Sequence, residues 1–168
     1  MSLDQQEYSS ENSEDELDNS NAQQFEHIML SYQWDNQKLV EQIYDYLSKN
    51  QNIPIWMDKQ GGMQDNVFLS MSKGVQNCYA LICFLTPAYQ NSANCKKELT
   101  YALEIGTPVI PCIIGSKEEG IKWKPTGWLG MGITNLIYLD FSQIDEKNFE
   151  SKCKELIQRI NSTISLQK

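Results

Sequence analysis

Tyr79-Ala-Leu-Ile-Cys-Phe-Leu85 is an unbroken apolar run closed by Thr86-Pro87. A strand with one wet face alternates apolar and polar side chains, whereas one that is apolar at every position is covered on both faces, as in a parallel sheet flanked by helices. Upstream of this run Val67, Met71 and Val75 recur every fourth residue, marking one face of a helix that ends near Asn77. Downstream, Pro87 stops the strand, a helix follows from about Ala93 to Ile105, and Pro108 to Ile114 reads as the next strand.

The same alternation continues outward. His27 to Tyr32 reads as a first strand, and Leu39, Ile43 and Leu47 mark a helix from about Asp35 to Asn50. Ile53 to Trp56 is a second strand, and Asp58 to Asn66, with Gly61-Gly62, is a loop. A long Gly-rich loop runs from Gly115 to about Gly132, with Trp123 and Trp128 expected as packing anchors. Leu136 to Leu139 is a fifth strand, and Phe149, Cys153, Leu156, Ile157, Ile160 and Ile164 line the last helix. Strands separated by helices pair in parallel through right-handed crossovers. The expectation is therefore an α/β, flavodoxin-like three-layer sandwich with a five-stranded parallel sheet of order 2-1-3-4-5. In such sheets the ligand crevice opens at the carboxyl ends of strands 1 and 3, where the winding reverses. That places Ser31 to Asp35, Thr86 to Tyr89 and the loop after strand 2 at the site.

Charge separates the chain into two parts. Of its 168 residues, 14 are basic and 22 acidic, a net charge of −8. Residues 1–24 hold seven of the acids and no Lys or Arg, so 15 acids face 14 bases in residues 25–168. The first part, rich in Ser, Asn and Gln with four residues to bury, is expected to be a disordered acidic tail, and residues 25–168 one folded domain. With a single Arg and a single His, the chain lacks the basic face of a nucleic-acid binder and the ligands for a His-based metal centre. No apolar segment is long enough to span a membrane and no signal peptide is evident, so the protein is expected to be soluble and cytoplasmic with five reduced cysteines. The lone His27 is expected to be a structural strand residue.

The crevice lacks the acidic cluster of a phosphorylated receiver and the open glycine loop of a flavodoxin: its segments are Ser31-Tyr32-Gln33 and Leu85-Thr86-Pro87. It offers aromatic rings and carboxylates instead. Four stretches in register resemble the Toll/interleukin-1 receptor (TIR) domain family. HIMLSYQWD (27–35) resembles the first-strand signature, and IPIWMDKQGGMQDN (53–66) the second strand with its BB loop. SANCKKELTYAL (92–103) resembles the Ser-x-x-Cys-x-x-Glu-Leu opening of the third helix, and PTGWLG (125–130) a Gly-Trp turn of stand-alone members.

Many TIR domains cleave NAD+, and the resemblance implies Glu98 as the catalytic residue. It also implies substrate contacts from Ser31, Tyr32, Trp34, Asp58, Gly62 and Asn94, with NAD+ as substrate, no separate cofactor and no metal. Glu98 lies about 80° from the centre of the apolar stripe formed by Cys95, Leu99, Ala102 and Leu103, on its shoulder. There a carboxylate enters a crevice without being sealed in. Lys96 and Lys97 flank Glu98 and offset the tail's repulsion of a pyrophosphate. The sequence departs from some catalytic members at Asn94, where they carry an aromatic residue, and at Gln33 and Trp34, where others carry Arg. The alternative implied by the same resemblance is a non-catalytic adaptor acting by TIR–TIR association through the BB loop, with neither nucleic acid nor membrane as partner.

Overall fold

The computed structural model describes residues 24–57, 67–116 and 122–166. The expectations for the tail and for Asp58, Gly61 and Gly62 of the BB loop fall outside these residues. Five parallel strands form one sheet in the order β2-β1-β3-β4-β5, as the alternation implies: β1 His27–Ser31, β2 Ile55–Met57, β3 Cys78–Leu85, β4 Val109–Ile113 and β5 Leu139–Asp140. Among the described residues six α-helices connect or follow them: α1 Gln37–Asn50, α2 Val67–Gln76, α3 Pro87–Asn91, α4 Ala93–Glu104, α5 Gly127–Ile133 and α6 Phe149–Ser165.

Strand parity builds the two cores. Ile28, Leu30, Ala80, Ile82 and Phe84 face one way and pack with α1 and α6 through Val40, Ile43, Leu47, Cys153, Leu156 and Ile160. Met29, Leu81, Cys83 and Leu85 face the other way, against Val75, Tyr89, Cys95, Leu99, Ala102 and Leu129. β3 is buried at seven of its eight positions, with Tyr79 half-buried, which is why it reads as continuously apolar. All five cysteines are free and buried among these side chains. His27 is structural as expected, its Nε2 donating to the Gly74 carbonyl at 2.9 Å.

Five boundaries differ from the expectation. Pro87 does stop β3, but it also opens the short helix α3 at its first position, capped by Thr86 Oγ1, which accepts from the Tyr89 N–H at 3.0 Å. The loop expected over 115–132 contains the start of α5, which runs on to Ile133. Its first residue Gly127 has φ +53°, and a Cβ on Gly130 would meet the Pro125 carbonyl oxygen at 2.9 Å, so both glycines of the Pro-Thr-Gly-Trp-Leu-Gly stretch are needed. β2 starts later than Ile53 because the ladder opens at the Pro54 carbonyl, which accepts from the Ile28 N–H at 2.8 Å. β5 pairs only at Leu139 and Asp140, while Ile137 stays 74% exposed before it. Lastly, a single 3-10 turn, Trp34–Asn36, precedes α1.

Candidate functional site

Three side chains converge where β1 and β3 end. Ser31 is the last residue of β1, in register with Cys83, and shares the parity of Met29, so its hydroxyl points under α4. The phase of α4 is set by Ser92, whose Oγ accepts from the Cys95 N–H at 3.3 Å as an N-cap. From that start the 3.6-residue repeat turns Cys95, Leu99 and Ala102 into the core and leaves Glu98 half-buried at its edge, while Glu104 is exposed. The Ser31 hydroxyl donates to Glu98 Oε2, and the Tyr89 hydroxyl of α3 lies 2.8 Å from Ser31 Oγ. The Cys95 thiol completes the join by donating to the Tyr32 carbonyl at 3.6 Å.

On its other side Glu98 borders a cleft of about 240 Å³ between α2 and α4, lined also by Met71, Ser72, Val75, Lys97 and Tyr101. At the cleft the Tyr101 hydroxyl accepts from Gln76 Nε2 at 2.6 Å. This volume, bounded by the described residues, is below the roughly 300–1,000 Å³ of whole-ligand pockets and gives room for one ring-sized group. Among the described residues the site is one carboxylate at the mouth of a mostly apolar slot, with two hydroxyls behind it.

Burial keeps the surrounding thiols and the Tyr89 phenol neutral. Burial, and then the nearby charge of Glu98, push the Cys83 thiol far up, and burial pushes Cys78 to about 12 and Cys95 to about 11. The Tyr89 phenol is likewise driven well above its ordinary value, first by burial. None of these groups competes with Glu98 for negative charge near neutral pH.

Of the residues expected at the site, the structure joins Ser31 to Glu98 and brings Tyr32 alongside through its carbonyl. Trp34, in the 3-10 turn, is 47% exposed, and Asn94 is exposed on the first turn of α4. Asp58 and Gly62 lie outside the described residues. The two lysines part: Lys97 lines the cleft, whereas Lys96 turns away to place its Nζ 5.7 Å from the centre of the Trp128 ring. Trp123 and Trp128 are packing anchors as expected, the first buried and the second half-buried. Tyr89 is the site residue that motif reading overlooked. The crevice rule covered its segment, but nothing local marks its hydroxyl.

Comparison with known proteins agrees with this layout. The described fold is similar to the TIR domain of the Toll-related receptor TRR-2 from Hydra magnipapillata, with TM-score 0.58 and 15% identity over 80% of this chain and 97% of that one. It is similar also to the TIR domains of the activated Roq1 resistosome that directly recognises the pathogen effector XopQ, with TM-score 0.59 and 15% identity over 80% of this chain and 98% of that one. At that identity these likenesses speak for the fold. Among curated proteins none matches the chain. A family profile described as the TIR domain matches residues 28–157, most of the chain and every strand. With that match and a sheet of order 2-1-3-4-5, the chain belongs to the TIR domain family.

Proposed function

We propose that this TIR domain hydrolyses NAD+ at the bond between nicotinamide and ribose, with Glu98 as the catalytic carboxylate. The observation that carries the reading is the position of Glu98: at the carboxyl ends of β1 and β3, hydrogen-bonded to Ser31 and facing the ring-sized cleft between α2 and α4. The chemistry suits a lone carboxylate. Glycosidases that expel an alkoxide need a second carboxyl group to protonate it. The nicotinamide of NAD+ is a cationic pyridinium, so when the C1′–N bond breaks the electron pair returns to the ring nitrogen and the leaving group departs neutral. Glu98 holds the ribose and stabilises the positive charge that grows on C1′. A water then adds to C1′ and loses a proton to solvent, giving ADP-ribose; capture by an internal nucleophile gives a cyclic variant. NAD+ is substrate throughout, and no cofactor or metal is needed.

The TIR domains of Roq1 were seen in an activated resistosome. By analogy, homotypic TIR–TIR assembly through the BB loop completes the site here, in a cytoplasmic signalling role of the innate-immune or cell-death type. Among the described residues no helix is long and apolar enough to cross a membrane. The adaptor reading, in which TIR–TIR contact is the whole output, draws on the exposed Asn94 and the small cleft.

Nicotinamide release from NAD+ by concentrated protein, with and without a crowding agent, separates the two. The expected result is turnover that Glu98→Ala lowers by about a hundredfold or more. No turnover under either condition, or equal turnover by the variant, leaves the adaptor.

A further inference from the structure

Behind Glu98 lie two hydroxyls with no solvent to serve them. Ser31 is 1% exposed and Tyr89 fully buried, yet they come from segments 58 residues apart. A serine hydroxyl carries one proton. With that proton donated to Glu98, Ser31 Oγ is left to accept at its 2.8 Å contact, so the Tyr89 O–H must donate to it. The direction of the chain, Tyr89 to Ser31 to Glu98, follows from counting protons.

We propose that Tyr89 and Ser31 are positioning residues forming a two-hydroxyl relay that holds the Glu98 side chain ionised and aimed at the α2–α4 cleft. Its catalytic meaning rests on the reading of Glu98 as the reacting carboxylate; the relay itself does not. Protonation at Oε1 would leave Ser31 donating to a neutral carbonyl oxygen, a weaker acceptor than a carboxylate, while protonation at Oε2 would make the carboxyl a donor to Ser31 and swing the Ser31 proton to Tyr89 Oη. The Tyr89 proton would then point into the buried core, where among the described residues its hydroxyl has no second partner. Leaving a buried donor unsatisfied is costly, so the relay favours the carboxylate over the acid.

The surroundings support that polarity. Tyr89 is held by the capped turn of α3 and is kept protonated by burial, so it remains a donor. Among the described residues, the titratable groups that feel the charge of Glu98 or line its cleft are the thiols of Cys78 and Cys83 from β3, Cys95 and Lys97 from α4, and the phenols of Tyr89 and Tyr101. The α2 wall of the cleft, Met71, Ser72 and Val75, adds none. Among the described residues Lys97 is the cation of that set, and the Ser31 hydroxyl donates to the carboxylate beside it. The Ser31 hydroxyl is thereby committed to Glu98 rather than to a substrate.

The test is the titration of the Glu98 carboxyl in the full chain, followed by carbon NMR of glutamate-labelled protein and assigned by the resonance lost in Glu98→Gln. Ser31→Ala should move that titration upward by about one pH unit, the effect of removing one hydrogen bond to a charged group. Tyr89→Phe should move it in the same direction by a smaller step. Ser31→Cys keeps the volume with a weaker donor and should fall between parent and Ser31→Ala, which covers the case of a poorly folded alanine variant. A Glu98 titration unmoved by Ser31→Ala and Ser31→Cys overturns the relay, and one unmoved by Tyr89→Phe removes Tyr89 from it. If the parent releases no nicotinamide while the titration shifts as stated, the relay stands and the hydrolase reading falls.

Discussion

Gln90 and Thr126 hold each other through both ends of the glutamine amide. Gln90 Nε2 donates to Thr126 Oγ1 at 3.1 Å, and the Thr126 N–H donates to Gln90 Oε1 at 2.9 Å. The Gln90 carbonyl accepts in addition from Trp128 Nε1 at 2.9 Å. α3, which carries Tyr89, is in this way fastened to the first turn of α5. The Gly-Trp stretch that looks like a family ornament in sequence is thus the outer support of the site.

Gln90→Ala removes two of these three hydrogen bonds from a partly exposed position, where each contributes roughly 0.5–1.5 kcal/mol. The expected cost is about 1 kcal/mol, read as a lower urea midpoint with an unchanged slope. Trp128→Phe, which keeps much of the packing and loses the Nε1–H, should cost a similar amount. A Gln90→Ala midpoint equal to the parent's would show that the Gln90 side chain adds nothing to the hold of Tyr89, the Thr86 cap and the Trp128 hydrogen bond.

The thiols make alkaline stability a second test. Burial raises Cys78 and Cys153 to about 12 and Cys95 to about 11, from an unfolded value near 9.0. A raised value means the folded chain keeps protons that the unfolded chain gives up. Stability is therefore level below pH 9 and falls as pH rises from about 9 toward 11 and 12. Unfolding free energies measured from pH 8 to 10.5 should decline, with Cys153→Ala giving a shallower decline than the parent. At pH 8 the folded protein should leave all five thiols unreactive toward a disulfide reagent until denaturant is added. Rapid labelling in native buffer would contradict the burial of these residues.

How much was legible follows from the range of each interaction. The sheet could be read because β3 is apolar on both parities and the helices repeat at 3.6, both local patterns. Glu98 could be placed on the shoulder of its stripe for the same reason. α3 and α5 were invisible because five and seven residues are too few to show a helical period. Pro87 is a strand stop on any local reading; only the Thr86 cap shows that it also begins a helix. Ile137 and Tyr138 look like strand residues by composition, but they are exposed and unpaired in the sheet, so β5 starts at Leu139, three residues after the expected Leu136. The crevice rule covers the segment that ends at Tyr89, but the role of its hydroxyl is not legible there, because it lies in a hydrogen bond to a residue 58 positions away, set by topology rather than by neighbours.

The acidic tail yields a third prediction. Deleting residues 1–24 changes the net charge from −8 to −1, since it removes seven acids and no bases. It leaves Phe25, whose ring packs tilted against that of Tyr79 with centroids 5.4 Å apart, and Glu26, whose N–H donates to the Asn77 carbonyl at 2.8 Å. The truncated protein should elute earlier from an anion exchanger with an unchanged urea midpoint and unchanged nicotinamide release. A lower midpoint or lost turnover would make the tail part of the folded machine.

Two tryptophans separate binding from folding. Trp123 is 9% exposed in the core beneath α4 and α5, and Trp123→Ala should cost about 3–5 kcal/mol, as large aromatic truncations in a core do. Its effect on NAD+ turnover should then track the fraction folded and vanish where the variant is fully folded. Trp34 is 47% exposed in the turn before α1, so Trp34→Ala should change stability by less than about 0.5 kcal/mol. If its ring stacks on a base or on nicotinamide, an interaction of ~1–3 kcal/mol is lost, and KM for NAD+ rises by roughly fivefold to a hundredfold while kcat holds. An unchanged KM in Trp34→Ala would reduce that ring to a cover over the start of α1, and the dinucleotide would have to be held by Tyr32 and the α2–α4 cleft instead.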